Sequence, residues 1–318
     1  MIVCENVSKY YGERAAVSGI SFTIQDGEVV GLLGLNGAGK TTTLRMLSGV
    51  LVPTNGRLLV DGLDLAQAPD AVRAKLGFLP EPPPLYPEMR VVDFLEFVAH
   101  IKGLAGDVSA AVHEALQACD LVEVQHQFIG TLSHGYQRRV GIAQAIVHKP
   151  ALILLDEPTS GLDPVQVVQM RKLIRNLGKK HTVLVSSHIL SEIQQMCDRV
   201  LLLQQGKLVA DGSPQTLSQQ AETVTTVTIE VRGPREALAA ALAKAAQVAR
   251  HTIEREDQGV THATVELKSD TREELARVLV EAGLGLRRLE RVRLELESVF
   301  MKLAAGDNAA TKPSGVQS

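Results

Sequence analysis

Residues 34–41, Gly-Leu-Asn-Gly-Ala-Gly-Lys-Thr, match the spacing G-x-x-x-x-G-K-[ST]. A short apolar strand is predicted just before this loop, at residues 28–33, and a helix just after it, at residues 40–47. Glycines let the backbone curl so that successive N–H groups point at phosphate oxygens, and the helix N-terminus adds a favourable dipole. Lys40 is expected to reach the β- and γ-phosphates, and the Thr41 hydroxyl to hold Mg²⁺. The stretch therefore predicts a nucleotide site rather than a glycine-rich turn that binds nothing.

A second motif, Ala-Leu-Ile-Leu-Leu-Asp-Glu-Pro at residues 151–158, predicts a buried strand that ends in two carboxylates. Asp156 is expected beside the phosphate loop, where it can hold Mg²⁺ directly or through water. Glu157 is expected to lie one residue nearer the γ-phosphate and to act as general base on a water molecule. The alternative is a buried strand that happens to end in an acidic turn, and the phosphate loop earlier in the chain disfavours it.

Two further segments are less specific when taken alone. Ser133 is a good N-cap for a helix that runs toward Ala145, and a helix N-terminus can also bind phosphate. On that helix, Arg138 and Arg139 are interpreted as a solvated face. His188 follows a strand predicted at residues 182–186 and is expected at the carboxyl edge of the sheet, where ligands bind, although a lone histidine there is usually a turn residue.

The chain has two kinds of pattern. Strands and helices alternate between residues 151 and 203, which predicts a parallel sheet covered by helices, and residues 91–144 are predicted to be mostly helical. After a polar boundary, a small α+β module is predicted, with strands at 224–231 and 261–267, helices at 234–248 and 271–282, and a strand or short helix at 286–296. Thr271 and Glu274 are expected to form a capping box, and residues 304–318 to be disordered.

Composition excludes several classes of protein. Hydrophobic residues make up 45% of the 318 residues, and the net charge of −3 gives no basic surface for nucleic acid. The three cysteines are far apart and are expected to be reduced thiols. We find neither a signal-peptide pattern nor the run of about 18 apolar residues that a membrane-spanning helix needs. Any action at a membrane is therefore expected to pass through a partner.

Together the four motifs resemble those of the nucleotide-binding subunit of ATP-binding cassette (ABC) transporters. The resemblance covers about residues 1–215 and implies an α/β P-loop fold with a RecA-like parallel sheet core, an antiparallel β subdomain and a helical subdomain. Residues 79–89 and the C-terminal α+β domain, residues 222–303, resemble exporter-type cassettes of the multidrug and gliding-motility kind.

The resemblance also implies roles for individual residues. Tyr11 would stack on adenine, and His188 would hold the γ-phosphate and the attacking water. Ser133 and Gly135 would contact the γ-phosphate bound by a second copy, so that a homodimer encloses two ATP molecules, with Asp163 linking the two sites. The phosphates and their Mg²⁺ would be surrounded by Asn36, Gly37, Ala38, Gly39, Lys40, Thr41 and Thr42.

Two departures from the family pattern are visible. Glu81 stands where the family usually has glutamine, a residue implied to sense Mg²⁺ and to couple the site to the membrane partner. A carboxylate is a competent oxygen ligand, but it adds negative charge near the phosphates. The signature Leu-Ser-Gly-Gly-Gln is here Leu-Ser-His-Gly-Tyr, so His134 and Tyr136 are expected to change the rate rather than the chemistry.

The sequence therefore predicts an ATP-hydrolysing subunit, peripheral on the cytoplasmic face of the cell membrane, that drives a separate transmembrane permease of an exporter. The alternative is a soluble ABC ATPase that acts on nucleic acid or ribosomes. A single phosphate loop and only 93 positions between Lys40 and Ser133 disfavour the types with two cassettes or long coiled coils. A module that has lost catalysis is disfavoured because Lys40, Asp156, Glu157 and His188 are all present.

Overall fold

The structure, a computed structural model, describes residues 1–220, 225–257 and 259–291. The chain separates into two units, the first Met1–Pro214 and the second beginning at Gln215. Each unit has its own cluster of buried apolar side chains. The tail expected to be disordered, residues 304–318, lies outside the described residues, as does the end of the element predicted at 286–296.

The first unit contains both strands and helices throughout. Its strands are β1 (Ile2–Tyr11), β2 (Arg14–Ile24), β3 (Val29–Leu33), β4 (Asn55–Val60), β5 (Leu63–Asp64), β6 (Leu76–Leu79), β7 (Leu152–Leu155), β8 (Thr182–Ser187), β9 (Arg199–Gln204) and β10 (Lys207–Gly212). Its helices are α1 (Lys40–Leu47), α2 (Pro69–Ala74), α3 (Val91–Ile101), α4 (Val108–Ala118), α5 (His134–Ile146), α6 (Pro164–Gly178) and α7 (Leu190–Met196). None of the helices in the described part of the chain is long and apolar enough to cross a bilayer.

The central sheet confirms the parallel arrangement predicted from the alternation of strands and helices. Its order is β10-β9-β3-β8-β7-β6, in which β9 through β6 are parallel and β10 is antiparallel to β9. β3, β7 and β8 are buried along their whole length, which explains their nearly continuous apolar sequences. Because parallel strands end at the same edge of a sheet, the segments that follow β3, β7 and β8 emerge side by side there.

The predicted antiparallel sheet and helical segment are also present. The antiparallel sheet has the order β2-β1-β4-β5, and Ile2 of this sheet belongs to the same buried cluster as Leu32 of β3 and Leu44 of α1. Helix α1, which directly follows the phosphate loop, is thus anchored in the core of the first unit. Helices α3, α4 and α5 pack on one another around fully buried side chains such as Phe94, as expected for the helical segment at residues 91–144.

The second unit is an α+β layer structure. After α8 (Pro214–Gln220), its elements are β11 (Thr225–Arg232), α9 (Arg235–Lys244), β12 (Val248–Asp257), β13 (Val260–Leu267), α10 (Arg272–Glu281) and β14 (Gly285–Arg291). The four strands form an antiparallel sheet in the order β12-β13-β11-β14. Val227, Ile229 and Val231 of β11 are buried and alternate with half-buried residues, which is the period of two that predicts this strand.

The sequence patterns miss one strand of the second unit, and one prediction about its last helix is wrong. Residues 248–257 form an edge strand that the sequence does not reveal, because most of its side chains are exposed and polar and no apolar alternation marks it. The capping box is wrong: Thr271 precedes α10, but its side chain accepts no hydrogen bond from the helix. Its hydroxyl donates instead to the Ser269 carbonyl oxygen at 3.3 Å.

His148, two residues after the end of α5, makes the stability of the first unit sensitive to acid. Its Nε2 is 3.0 Å from the Leu76 carbonyl oxygen, and burial, aided by the charge of Lys102, lowers its pKa from 6.5 to about 4. Between these two values the unfolded chain binds a proton that the folded chain does not, so stability falls as the pH falls from 6.5 to about 4. We expect this group alone to lower the free energy of unfolding by about 2 kcal/mol between pH 7.5 and pH 5.

Urea unfolding of wild type and of His148→Gln at pH 7.5 and pH 5 checks this prediction. The variant should lose that part of the pH dependence, whereas His113→Gln, at an exposed position of α4, should keep it. Equal pH dependence in wild type and His148→Gln would contradict the assignment.

Candidate functional site

The phosphate loop between β3 and α1 is a sharp turn that requires glycine at two points. A Cβ atom on Gly34 would lie 2.6 Å from the Leu203 carbonyl oxygen, and one on Gly39 would lie 2.7 Å from that of Ala16. Gly39 also has a φ of 105°, which side-chain-bearing residues rarely adopt. The loop is therefore held close to β9 and β2.

Lys40 begins α1 and is almost completely buried. Its ammonium donates a hydrogen bond of 2.8 Å to the Gly34 carbonyl oxygen, across the loop, and lies 3.2 Å from Oε1 of Glu157. A buried ammonium needs such partners because burial without them costs several kcal/mol. The structure thus brings Lys40 and Glu157, which are far apart in sequence, into direct contact.

Asp156 lies at the end of β7 and is completely buried. The Ser186 hydroxyl donates to its Oδ1 at 2.6 Å and accepts the Glu157 backbone N–H at 2.9 Å, so one hydroxyl fixes both acidic residues. Burial raises the pKa of Asp156, and the nearby carboxylates of Glu157 and Glu81 act in the same direction, whereas the hydroxyls of Ser186 and Thr41 oppose it. Its Oδ2 has no hydrogen-bond partner within the described residues. A buried carboxylate oxygen left open in this way suits a cation.

Glu157 is held between a lysine and a histidine. Its Oε1 contacts Lys40, and its Oε2 lies 2.9 Å from Nδ1 of His188. Because a carboxylate only accepts hydrogen bonds, Nδ1 carries the proton, which leaves Nε2 of His188 for another group. The backbone of Glu157 has a φ of 47°, a strained conformation for a residue with a Cβ, and such strain is common at functional sites.

Most of the predicted site residues line one open cleft of about 570 Å³. The exposed ring of Tyr11 lies at this cleft, with the Lys9 ammonium 5.6 Å from its centre. Ala38 and Asp156 are buried behind the cleft rather than exposed in it. The site residues that the cleft brings together are Tyr11, Asn36, Gly37, Gly39, Lys40, Thr41, Thr42, Glu81, Glu157 and His188.

Ser133 and Gly135 do not reach this cleft. They line a separate groove of about 1060 Å³ together with residues of α4 and α6. Ser133 is the N-cap of α5, as predicted, and accepts the Tyr136 N–H at 3.5 Å. Gly135 packs so closely on α6 that a Cβ would lie 2.8 Å from the side chain of Gln166. Within one copy, these two residues are therefore not part of the phosphate loop's surroundings.

Comparison with known proteins decides the family. The family described as ABC transporter matches residues 17–160. The chain is 35% identical over 309 residues to the uncharacterized ABC transporter ATP-binding protein YxlF of Bacillus subtilis. The match covers 95% of this chain and 99% of YxlF. The chain belongs to the ATP-binding proteins of ABC transporters. This ABC protein is an ATPase that binds ATP.

Two other similarities extend this result. The ABC ATPase is 34% identical over 255 residues to the linearmycin resistance ATP-binding protein LnrL of Bacillus subtilis, covering 80% of this chain and 82% of the relative. It also superposes with a TM-score of 0.61, at 26% identity, on an ATP-binding cassette solved as a dimer in a post-hydrolysis state with ADP and Pi. That likeness covers 67% of this chain and 98% of the solved one.

The structure corrects one interpretation of the ABC signature helix α5. Arg138 and Arg139 are not a solvated face. Arg138 is buried and pairs with Glu81, and Arg139 donates to the Cys119 carbonyl oxygen at 3.0 Å and to Asp120 at 2.7 Å. The acidic partners, Glu81 in the loop after β6 and Asp120 just after α4, are distant from these arginines in sequence, so no motif indicates the pairing. One sequence signal could have indicated that these arginines are buried. Val140, Ile142 and Ala143 follow them on the same helix and leave no continuous polar face.

Sequence reasoning also misses a buried carboxylate next to the ABC site. Glu192 of α7 accepts a 2.5 Å hydrogen bond from the Thr159 hydroxyl and a longer one, 3.4 Å, from that of Ser187. These contacts join the segment after Glu157 to the residue that precedes His188. The only sequence signal is the position of Glu192 one helical turn after His188.

Proposed function

We propose that this protein is the ATP-hydrolysing subunit of a membrane exporter, in which two copies close around two ATP molecules and drive a separate permease. The observation that carries the proposal is the convergence of Lys40, Glu157 and His188 on one cleft, with Asp156 directly behind it. In this arrangement Lys40 binds the β- and γ-phosphates, and Glu157 accepts a proton from water. The Nε2 of His188 accepts a hydrogen bond from the same water, and in the imidazolium form it would donate one to the γ-phosphate.

Mg²⁺ fits the donor set at this site. Asp156 presents a buried oxygen that has no partner in the described part of the chain, and the Thr41 hydroxyl lies close enough to act on its pKa. Thr41 and Asp156 would hold the metal, with Glu81 as a further oxygen donor on the same cleft. When bound, the metal would neutralise charge on the phosphate oxygens.

A homodimer explains why the ATP site of one copy is incomplete. Ser133 and Gly135 lie in another groove, so a second copy must supply them if they are to contact the γ-phosphate. Apolar side chains that such a dimer could cover are exposed beside the signature segment, namely Val165 and Val168 of α6. The solved relative that is dimeric in its ADP and Pi state supports this proposal.

We assign permease docking to four exposed apolar side chains in and just before the helical segment, which we call the docking patch: Tyr86, Phe97, Ile101 and Phe128. Tyr86 and Phe97 pack edge to face with ring centres 5.9 Å apart, and both remain exposed. Ile101, at the end of α3, is 67% exposed, and Phe128 lies beside Arg90. Ile101 follows Phe97 by one turn of α3, and exposed apolar groups that lie close together mark interaction sites. Their place after Glu81 would connect ATP binding to a helix of the membrane partner.

The assignment extends to location and cargo. We place residues 1–215 as the nucleotide-binding domain and residues 222–303 as an accessory domain, with the whole protein peripheral on the cytoplasmic face of the cell membrane. The names of relatives, linearmycin resistance for LnrL and bacitracin transport for BcrA of Bacillus licheniformis, favour export of an antimicrobial compound. The net charge of −3 disfavours the alternative function on nucleic acid or ribosomes.

Capture of the membrane partner tests the proposal. The tagged protein, co-expressed with the product of any adjoining gene that encodes a membrane protein, should be recovered from detergent-solubilised membranes with that partner. Ile101→Lys should lower the recovered partner about tenfold, because it places a charge in the docking patch. Val52→Lys is the matched control, since Val52 is 71% exposed and lies outside the patch.

Two results would contradict the proposal. One is recovery of the protein in the soluble fraction with RNA, which would favour the nucleic-acid alternative. The other is equal loss of the partner in Ile101→Lys and Val52→Lys. Thermal unfolding of both variants, expected within a few degrees of wild type for such exposed positions, separates loss of docking from loss of the fold.

A further inference from the structure

Arg138, in the middle of α5, is a buried cation with a single ionic partner among the described residues. Its side chain is 4% exposed, and its Nη2 lies 3.1 Å from Oε1 of Glu81 and 3.5 Å from the Ser160 carbonyl oxygen. Nε and Nη1 have no hydrogen-bond partner within the described residues. A guanidinium buried in this way depends on its one carboxylate, because an unpaired buried charge is strongly destabilising.

Glu81 faces the ATP cleft from the loop after β6. Its side chain is 37% exposed and lines the same cleft as Lys40, Thr41 and Glu157. It is also close enough to Asp156 for its charge to raise the pKa of that residue. Three carboxylates, Glu81, Asp156 and Glu157, therefore meet where a triphosphate must bind. Of these, Glu157 is compensated by Lys40 and His188, and Glu81 by Arg138.

We infer that Arg138 is a positioning residue that holds and neutralises Glu81, so that a carboxylate can stand beside the phosphates in place of a glutamine. The same guanidinium contacts the Ser160 carbonyl oxygen, so it ties three parts of the site together. These are the loop after β6, the segment after Glu157, and α5, whose N-terminus carries Ser133. Arg138 itself does not line the cleft. It acts through Glu81.

This role predicts a specific defect when the charge is removed. In Arg138→Gln, Glu81 becomes an uncompensated anion near the nucleotide. ATP affinity in EDTA should fall about tenfold, because like charges repel more strongly where water is partly excluded. Bound Mg²⁺ offsets that repulsion, so the loss with Mg²⁺ should be about twofold, and by linkage the Mg²⁺ concentration for half-maximal ATPase activity should fall about fivefold.

A double-mutant cycle with Glu81→Gln tests whether Arg138 acts through Glu81. Equilibrium binding of a fluorescent ATP analogue, with EDTA and with Mg²⁺, is measured for wild type, Arg138→Gln, Glu81→Gln and the double variant. In the Glu81→Gln background, Arg138→Gln should weaken binding in EDTA much less, because no carboxylate is then left for Arg138 to hold and neutralise. Arg138→Lys should stay near wild type, since it keeps the charge.

Arg139→Gln is the control for loss of an arginine from α5. Its side chain bonds to Cys119 and Asp120, away from the cleft, so it should change thermal stability without changing the Mg²⁺ dependence. The inference is overturned if Arg138→Gln weakens binding equally in both backgrounds. If Arg138→Gln alone fails to fold, folding of the double variant supports the pairing, and misfolding of both overturns it.

The inference rests on the proposed ATP site but fails independently of the proposed exporter function. Binding is measured on the isolated protein, so loss of the permease partner leaves it untouched. If the effects of the two substitutions on ATP affinity were additive, only the role assigned to Arg138 would be contradicted. Absence of ATP binding in wild type would remove the proposed site itself.

Discussion

Glu157→Gln should bind ATP at least as tightly as wild type and should hydrolyse it at least about 100-fold more slowly. The carboxamide has nearly the same shape as the carboxylate and can still accept the His188 hydrogen bond, so the fold of the cleft is kept. It cannot take a proton from water at neutral pH. It also removes the negative charge that now lies 3.2 Å from the Lys40 ammonium, which leaves that cation to the phosphates.

Two measurements follow the two parts of this expectation. Phosphate release under single-turnover conditions should give the slow hydrolysis, and size-exclusion chromatography with MgATP should show a stable dimer of the variant. Glu192→Gln is a matched control, because it also neutralises a buried carboxylate near the site, but one that bonds to Thr159 and does not line the cleft. We expect its rate to stay within about threefold of wild type. Hydrolysis at the wild-type rate by Glu157→Gln, or failure of that variant to dimerise with ATP, would overturn the proposed mechanism.

Sequence predicts those elements of this fold that are determined by residues close together in the chain. β3 and β7 are buried on both faces, so they are continuous apolar runs, and the chemistry follows each run directly: the glycine loop after β3 and Asp156 with Glu157 after β7. The parallel order of the strands then places both segments at one edge of the sheet. For this reason the position of Asp156 and Glu157 beside the phosphate loop is expected from motifs alone, whereas the direct contact of Glu157 with Lys40 is seen only in the structure.

The parts that sequence does not predict depend on partners distant in the chain. Arg138 and Glu81 are 57 positions apart, and nothing in either segment indicates that the two are partners. The strand at residues 248–257 is stabilised by pairing with β13, while its own side chains are mostly exposed and polar. In both cases tertiary packing overrides a local pattern that favours a different environment.

If the ATP site is shared between two copies, a second large effect is expected, and its test requires two inactive variants. Lys40→Met removes the phosphate-loop cation, and Ser133→Arg places a bulky cation at the signature. Ser133 is exposed, so the arginine can be accommodated at the cost of one helix cap, about 1 kcal/mol. If each site combines Lys40 of one copy with Ser133 of the other, each variant alone has two damaged sites. Each should hydrolyse ATP at less than about 1% of the wild-type rate.

An equal mixture of the two variants should recover activity. In a mixed dimer, the undamaged Lys40 of the Ser133→Arg copy meets the undamaged Ser133 of the Lys40→Met copy. One site is then complete and the other carries both changes. Because half of the dimers formed from equal amounts are mixed, the mixture should reach about a quarter of the wild-type rate. Mixed dimers can be isolated with two different affinity tags, and two differently tagged Lys40→Met preparations serve as the control. A mixture no more active than its parents would show that the loop at residues 34–41 does not share its nucleotide with a second copy, because complementation has no other source in these variants.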